Sequence, residues 1–98
     1  MKIRKSDYIK YSRFLIKKLH KAGCYGIGSM YEENVIRGLP NKGIAKKVLE
    51  ALTKQRICIR KRKEHGWKYY LNKEKLGKIK EIIRETGKQS IIPILLML

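Results

Sequence analysis

Apolar side chains recur along this chain with two periods, and each change of period marks an element boundary. Near the start, Tyr8, Tyr11, Leu15, Leu19 and Ala22 step by three and four residues, the spacing of a buried helix stripe. The opposite face, Lys10, Arg13, Lys17 and Lys21, is uniformly basic. Ser6 is placed to cap this helix, with Asp7 in its first turn near the positive dipole end, and Gly23 is its expected left-handed stop. Cys24–Gly28 reads as a glycine-spaced connector with a very short strand around Cys24 and Tyr25; no phosphate-loop pattern follows Gly26 and Gly28, so a nucleotide site is not expected. Ser29-Met30-Tyr31-Glu32 matches a capping box and predicts a second helix over about Met30 to Arg37. Gly38 ends that helix and Leu39-Pro40 forbids its continuation.

Asn41 then caps a third helix, Lys42 to Lys54, with Ile44, Ala45, Val48, Leu49 and Leu52 as its stripe. At about 100° per residue, Ala45, Val48, Leu49 and Leu52 point inward. Gly43, Lys47, Glu50 and Lys54 lie opposite, flanked by Lys46 and Thr53. The period next falls to two, predicting strands over Ile57–Arg60 and Trp67–Leu71 around a tip of Lys61, Arg62, Lys63, Glu64, His65 and Gly66. Asn72 caps a fourth helix whose stripe is Leu76, Ile79, Ile82 and Ile83, ending near Thr86 with Gly87 as stop. Beyond it Ile91–Leu98 is almost wholly apolar. It is far short of the roughly 20 apolar residues a membrane span requires, so burial is expected, in a homodimer contact or on the first and fourth helices. The expected fold class is α+β, mainly α with a small β-hairpin, with a basic arm over 1–5, a domain over 6–87 and an apolar tail over 88–98.

Charge changes the picture from fold to partner. The chain has 98 residues with 25 Lys plus Arg against 8 Asp plus Glu, a formal net charge of +17 and a pI near 10.1. Self-repulsion on this scale opposes folding; nucleic acid, an anionic membrane surface or an acidic protein would relieve it, and for a folded chain this basic nucleic acid is the expected partner. With 43% hydrophobic residues the chain can nonetheless bury a core, unlike a disordered basic tail. Like charges packed at the hairpin tip repel one another unless an anion neutralises them. Met1–Lys10 is charged throughout, so no signal peptide is expected; a cytoplasmic location with Cys24 and Cys58 reduced follows. His20, Cys24, Cys58 and His65 lack the paired spacing of a zinc site. No catalytic constellation stands out among so few acids, so the chain is expected to be no enzyme and to need no cofactor.

The order helix, short strand, helix, turn, helix, strand, wing, strand, helix resembles the winged helix-turn-helix domain of many archaeal and bacterial transcription regulators. The resemblance covers about Ser6 to Thr86 and rests on Glu32–Pro40, the helix Lys42–Lys54 and the run Ile57–Asn72 ending in Tyr69-Tyr70-Leu71-Asn72. It implies duplex DNA as partner, with the third helix entering the major groove and the hairpin on phosphates or an adjacent minor groove. Carried onto this chain, the helix contacts would be Asn41, Lys42, Gly43, Lys46, Lys47, Glu50 and Lys54. The wing contacts would be Arg60, Lys61, Arg62, Lys63, His65 and Lys68, and the arm would add Lys2, Arg4 and Lys5. The third helix departs from a sequence-reading pattern in having no arginine, asparagine or glutamine on its outer face, which leaves bidentate reading of guanine or adenine poorly supplied. Weakly specific binding is the expectation. RNA is the second candidate partner, since shape and phosphate contacts suit lysine as well as arginine, and a protein-docking role for the apolar tail is the third.

Overall fold

The computed structural model describes residues 3–84; the expectations for Lys2, for the helix end at Thr86 and Gly87, and for the tail Ile91–Leu98 lie outside the described residues. The elements are α1 (Lys5–Lys21), β1 (Met30–Tyr31), α2 (Glu32–Val35), α3 (Lys42–Lys54), β2 (Cys58–Lys63), β3 (Gly66–Leu71), a 3-10 turn (Lys73–Lys75) and α4 (Leu76–Arg84). The strands form one antiparallel sheet in the order β1-β3-β2. This is the expected α+β chain, mainly helical with a small hairpin. No helix among the described residues is long and apolar enough to cross a membrane.

Local chemistry sets most boundaries. At the end of α1, Gly23 takes φ +69° while Cys24 N–H reaches the Leu19 carbonyl and Gly23 N–H the His20 carbonyl, at 3.0 Å each. That pair of bonds is a Schellman stop, and glycine is the residue that enters it without strain. The start of α1 differs from expectation. The extended cap residue is Arg4, with no side-chain cap bond, and Ser6 lies inside the first turn. Half-buried Ile3 and buried Tyr8 occupy the positions of a hydrophobic staple around that cap, so packing rather than a hydroxyl fixes the entry. The buried stripe also shifts: Ser12 and Ile16 are buried with Tyr8, Tyr11, Leu15 and Leu19, whereas Ala22 is exposed.

The largest corrections fall between residues 24 and 37. No strand forms at Cys24 and Tyr25, although the Cys24 carbonyl accepts from Leu71 N–H at 2.8 Å along the same edge of β3. The pairing resumes further on, where Met30 faces Tyr69 and Tyr31 faces Lys68. Because Met30 and Tyr31 are spent on that edge, the Ser29–Glu32 capping box does not form, and α2 shrinks to Glu32–Val35 with Tyr31 as its uncapped start. Free backbone donors on β3 outcompeted a local cap. Lys18 compensates at the other end of α2, its ammonium donating to the carbonyls of Asn34 at 2.5 Å and Arg37 at 2.8 Å.

The core lies between the three main helices and one face of the sheet. Leu15, Ile16 and Leu19 of α1, Val48, Leu49 and Leu52 of α3, Ile79 and Ile82 of α4, and Leu71 and Tyr69 of β3 meet there, each nearly or fully excluded from solvent. Burying a side chain of this kind contributes about 1.5–3 kcal/mol, which opposes the repulsion among the surface cations.

Candidate nucleic-acid interface

The start of α3 is pinned at three points. Asn41 Oδ1 accepts from Ile44 N–H at 3.0 Å, the expected cap, and Asn41 N–H donates to the Tyr11 hydroxyl of α1 at 3.2 Å. Gly38 turns the chain at φ +100°, where a Cβ would sit 3.1 Å from the tip of the Phe14 ring. Beyond the cap, Ala45, Val48, Leu49 and Leu52 anchor the helix, and Asn41, Lys42, Gly43, Lys46, Lys47, Glu50 and Lys54 all stand exposed. Gly43 has a structural reason of its own: a Cβ there would lie 3.3 Å from the capping Asn41 Oδ1. Glu50 pairs with Lys54 at 3.8 Å, one turn on, which leaves Lys42, Lys46 and Lys47 as the open positive charge of the helix.

The hairpin is longer and tighter than its sequence suggests. Lys61, Arg62 and Lys63 are ladder residues facing Lys68, Trp67 and Gly66, so the tip is reduced to Glu64 and His65. Gly66 permits this turn by taking φ +127°. Ile57 is not a strand residue; it closes the end of α3 through a 3.0 Å bond to the Leu52 carbonyl. The buried side of β2 is that of Cys58, opposite Leu71, while Ile59 is half-buried on the other side. Cys58 is a packed core residue whose thiol burial pushes up to about 12.

Register sorts the charges onto two faces. Cys58, Arg60 and Arg62 share one face with Leu71, Tyr69 and Trp67, the face that packs against the helices. There the Arg60 and Arg62 guanidinium carbons lie 4.3 and 5.5 Å from the centre of the Trp67 ring. Burial raises the Tyr69 hydroxyl above its ordinary range while neighbouring Arg60 draws it partly back, and that hydroxyl donates to Glu32 Oε1 at 3.4 Å. Ile59, Lys61 and Lys63 share the other face with Tyr70 and Lys68, joined by Tyr31 of β1. The Lys61 ammonium lies 5.5 Å from the Tyr70 ring centre and 3.4 Å from the Gly26 carbonyl, and the Lys68 ammonium lies 4.8 Å from the Tyr31 ring centre. The clustered charge therefore has a partial structural account, in cation–π contacts that sequence reasoning did not anticipate. The signal was present as the alternation of basic and aromatic residues in Trp67–Tyr70 against Arg60–Lys63.

Of the remaining predicted contacts, His65 is exposed in the turn and touches the Tyr31 ring edge-on at 6.4 Å. Arg4 and Lys5 stand exposed at the start of α1. A guanidinium held over an indole face can keep N–H groups free, and those are the donors that grip phosphate oxygens. The positive elements of the described residues include the first two turns of α3 and the arginine side of the hairpin. No known protein family, curated protein or solved structure matches this chain.

Proposed function

We propose that this chain binds double-stranded DNA as a winged helix protein, with α3 in the major groove and the β2–β3 hairpin as a wing on the phosphate backbone or adjacent minor groove. Its role is that of a transcription regulator or a DNA-associated protein of low sequence specificity. The observation that carries the reading is the Arg60–Trp67–Arg62 stack on the helix-packing face of the hairpin. Two arginines held on one ring lose less freedom on meeting phosphates than two free side chains would. The lysines of α3 supply attraction without bidentate base contacts, which supports low specificity.

The test is an anisotropy titration of the full chain with duplex DNA at several salt concentrations. Neutralising six phosphates gives a log–log slope of about −5. Changing Arg60 and Arg62 to alanine is expected to lower the slope's magnitude by about 2, with the circular dichroism of the fold unchanged. Absence of duplex binding at low salt, or structured RNA outcompeting duplex, sinks the reading.

A further inference from the structure

The sheet face turned away from the helices carries a second arrangement, distinct from the Arg60–Trp67–Arg62 cluster. Tyr31, Lys68 and Lys61 lie in one row across the three strands, because Tyr31 pairs with Lys68 and Lys68 with Lys61. Tyr70 stands two residues along β3, its ring edge 4.0 Å from where a Cβ on Gly26 would lie. Lys63 is exposed on the same side near the turn, and Ile27 of the adjoining connector is fully exposed. Carboxylates stand at the margins: Glu64 is in the turn, and Glu32 and Glu33 line a cleft of about 250 Å³ with Tyr31, His65 and Trp67.

We infer that this outer face is a binding platform for single-stranded DNA, separate from the duplex-binding surface. Aromatic rings flanked by lysines on an open sheet face are what an unpaired strand needs, since bases stack on the rings while ammonium groups meet the phosphates. Tyr31 and Tyr70 are diagonal neighbours, a relation that sets side chains about 7–8 Å apart. That exceeds the 3.4 Å rise per nucleotide of one strand in a duplex, so the two rings accept consecutive bases only from a strand pulled out of its stack. A duplex keeps its base faces covered and gains nothing from either ring. Lys61 and Lys68 already hover over these rings; an arriving base takes over the ring face and releases each ammonium toward the flanking phosphate. Rings and amines would meet RNA in the same way. DNA is chosen because this inference rests on the duplex reading: a protein seated on duplex DNA has an opened strand of the same polymer within reach.

The experiment is an anisotropy titration of the full chain with a labelled oligothymidylate of about a dozen nucleotides, run beside the duplex. Tyr31→Leu combined with Tyr70→Leu keeps an apolar side chain at both half-buried positions and removes the stacking faces. It is expected to weaken oligothymidylate binding at least tenfold and to leave duplex affinity within about twofold. Lys61→Ala with Lys68→Ala is expected to flatten the salt dependence of the single-strand titration more than that of the duplex titration. Undetectable oligothymidylate binding, or binding unaffected by the tyrosine pair and abolished by Arg60→Ala with Arg62→Ala, overturns the inference. Tighter binding of oligouridylate than of oligothymidylate overturns the choice of DNA. Loss of duplex binding with the single-strand result intact removes the proposed function and with it the ground for preferring DNA, and leaves the stacking platform itself standing.

Discussion

Arg56 is the residue whose backbone is most at odds with its side chain. It sits at φ 63°, the sole non-glycine at positive φ among the described residues, and completes the stop of α3 with a 3.1 Å bond from its N–H to the Thr53 carbonyl. Its carbonyl accepts from Asn72 Nδ2 at 2.8 Å, and Asn72 N–H returns a 3.0 Å bond to Ile57. Asn72 also accepts from Glu74 N–H at 3.1 Å, so one buried amide ties the end of α3 to the start of the last helix. The corner is thus held by groups that do not need the arginine side chain, which is exposed. Left-handed backbone costs a side-chain-bearing residue roughly 1–2 kcal/mol that glycine escapes. Part of this returns as the greater entropy of an unfolded glycine. Arg56→Gly is therefore expected to raise stability by about 0.5–1 kcal/mol in urea unfolding, and a fall would show that the guanidinium itself holds the corner.

At the scale of elements, legibility followed whether an element's determinants were local. The cap of α3 at Asn41, its inward stripe and the stop of α1 at Gly23 depend on residues within one or two turns, and the sequence displayed all of them. The capping box at Ser29 was equally clear and still lost, because β3 offers Met30 and Tyr31 a ladder from residues 68 and 69 that no local pattern reveals. The same limit governed the hairpin. Its charged residues read as a loop until the rings of Trp67, Tyr70 and Tyr31 are placed beside them, so the basic hairpin was legible in the sequence and its two faces were not. Exposure of the proposed α3 contacts was legible; the ring contacts around Arg60 and Arg62 were not. This gives Trp67 a role separable from charge. Trp67→Leu leaves every cation in place and removes the surface that aligns the arginines. Duplex affinity is expected to fall about three- to tenfold, as for the loss of a cation–π contact or two, while the salt slope stays unchanged. Arg60→Ala with Arg62→Ala, by contrast, lowers the slope. A Trp67→Leu variant with a reduced slope would mean that the stack is needed for the hairpin to form at all.

For the whole molecule, the balance between burial and charge shows most clearly at alkaline pH. Among the described residues one side-chain ion pair forms, the exposed Glu50–Lys54 contact, so the fold rests on its apolar core while 25 cations repel around it. That core contains groups that can ionise only at high pH. Burial raises the Cys58 thiol from 9.0 and the Tyr8 hydroxyl from 10.0, each to about 12, and also raises Cys24, Tyr25 and Tyr69. Each is neutral when protonated, so the folded chain retains protons that the unfolded chain releases. The Cys58 contribution is complete below about pH 9 and disappears as pH climbs toward 12. Between those limits one such group lowers stability by about 1.4 kcal/mol per pH unit. Lysines begin to lose charge near pH 10.4, which relieves repulsion and acts in the opposite direction in the folded state. The two effects separate in a Cys58→Val variant, which fills similar space in the strand and cannot ionise. Urea unfolding between pH 8 and 11 is expected to show the unaltered chain losing stability from about pH 9 onward, with the variant's loss shallower by about 1.4 kcal/mol per unit at most. Parallel curves for the two proteins would mean that water reaches the Cys58 thiolate without unfolding and that the sheet-to-helix packing is looser than its burial implies.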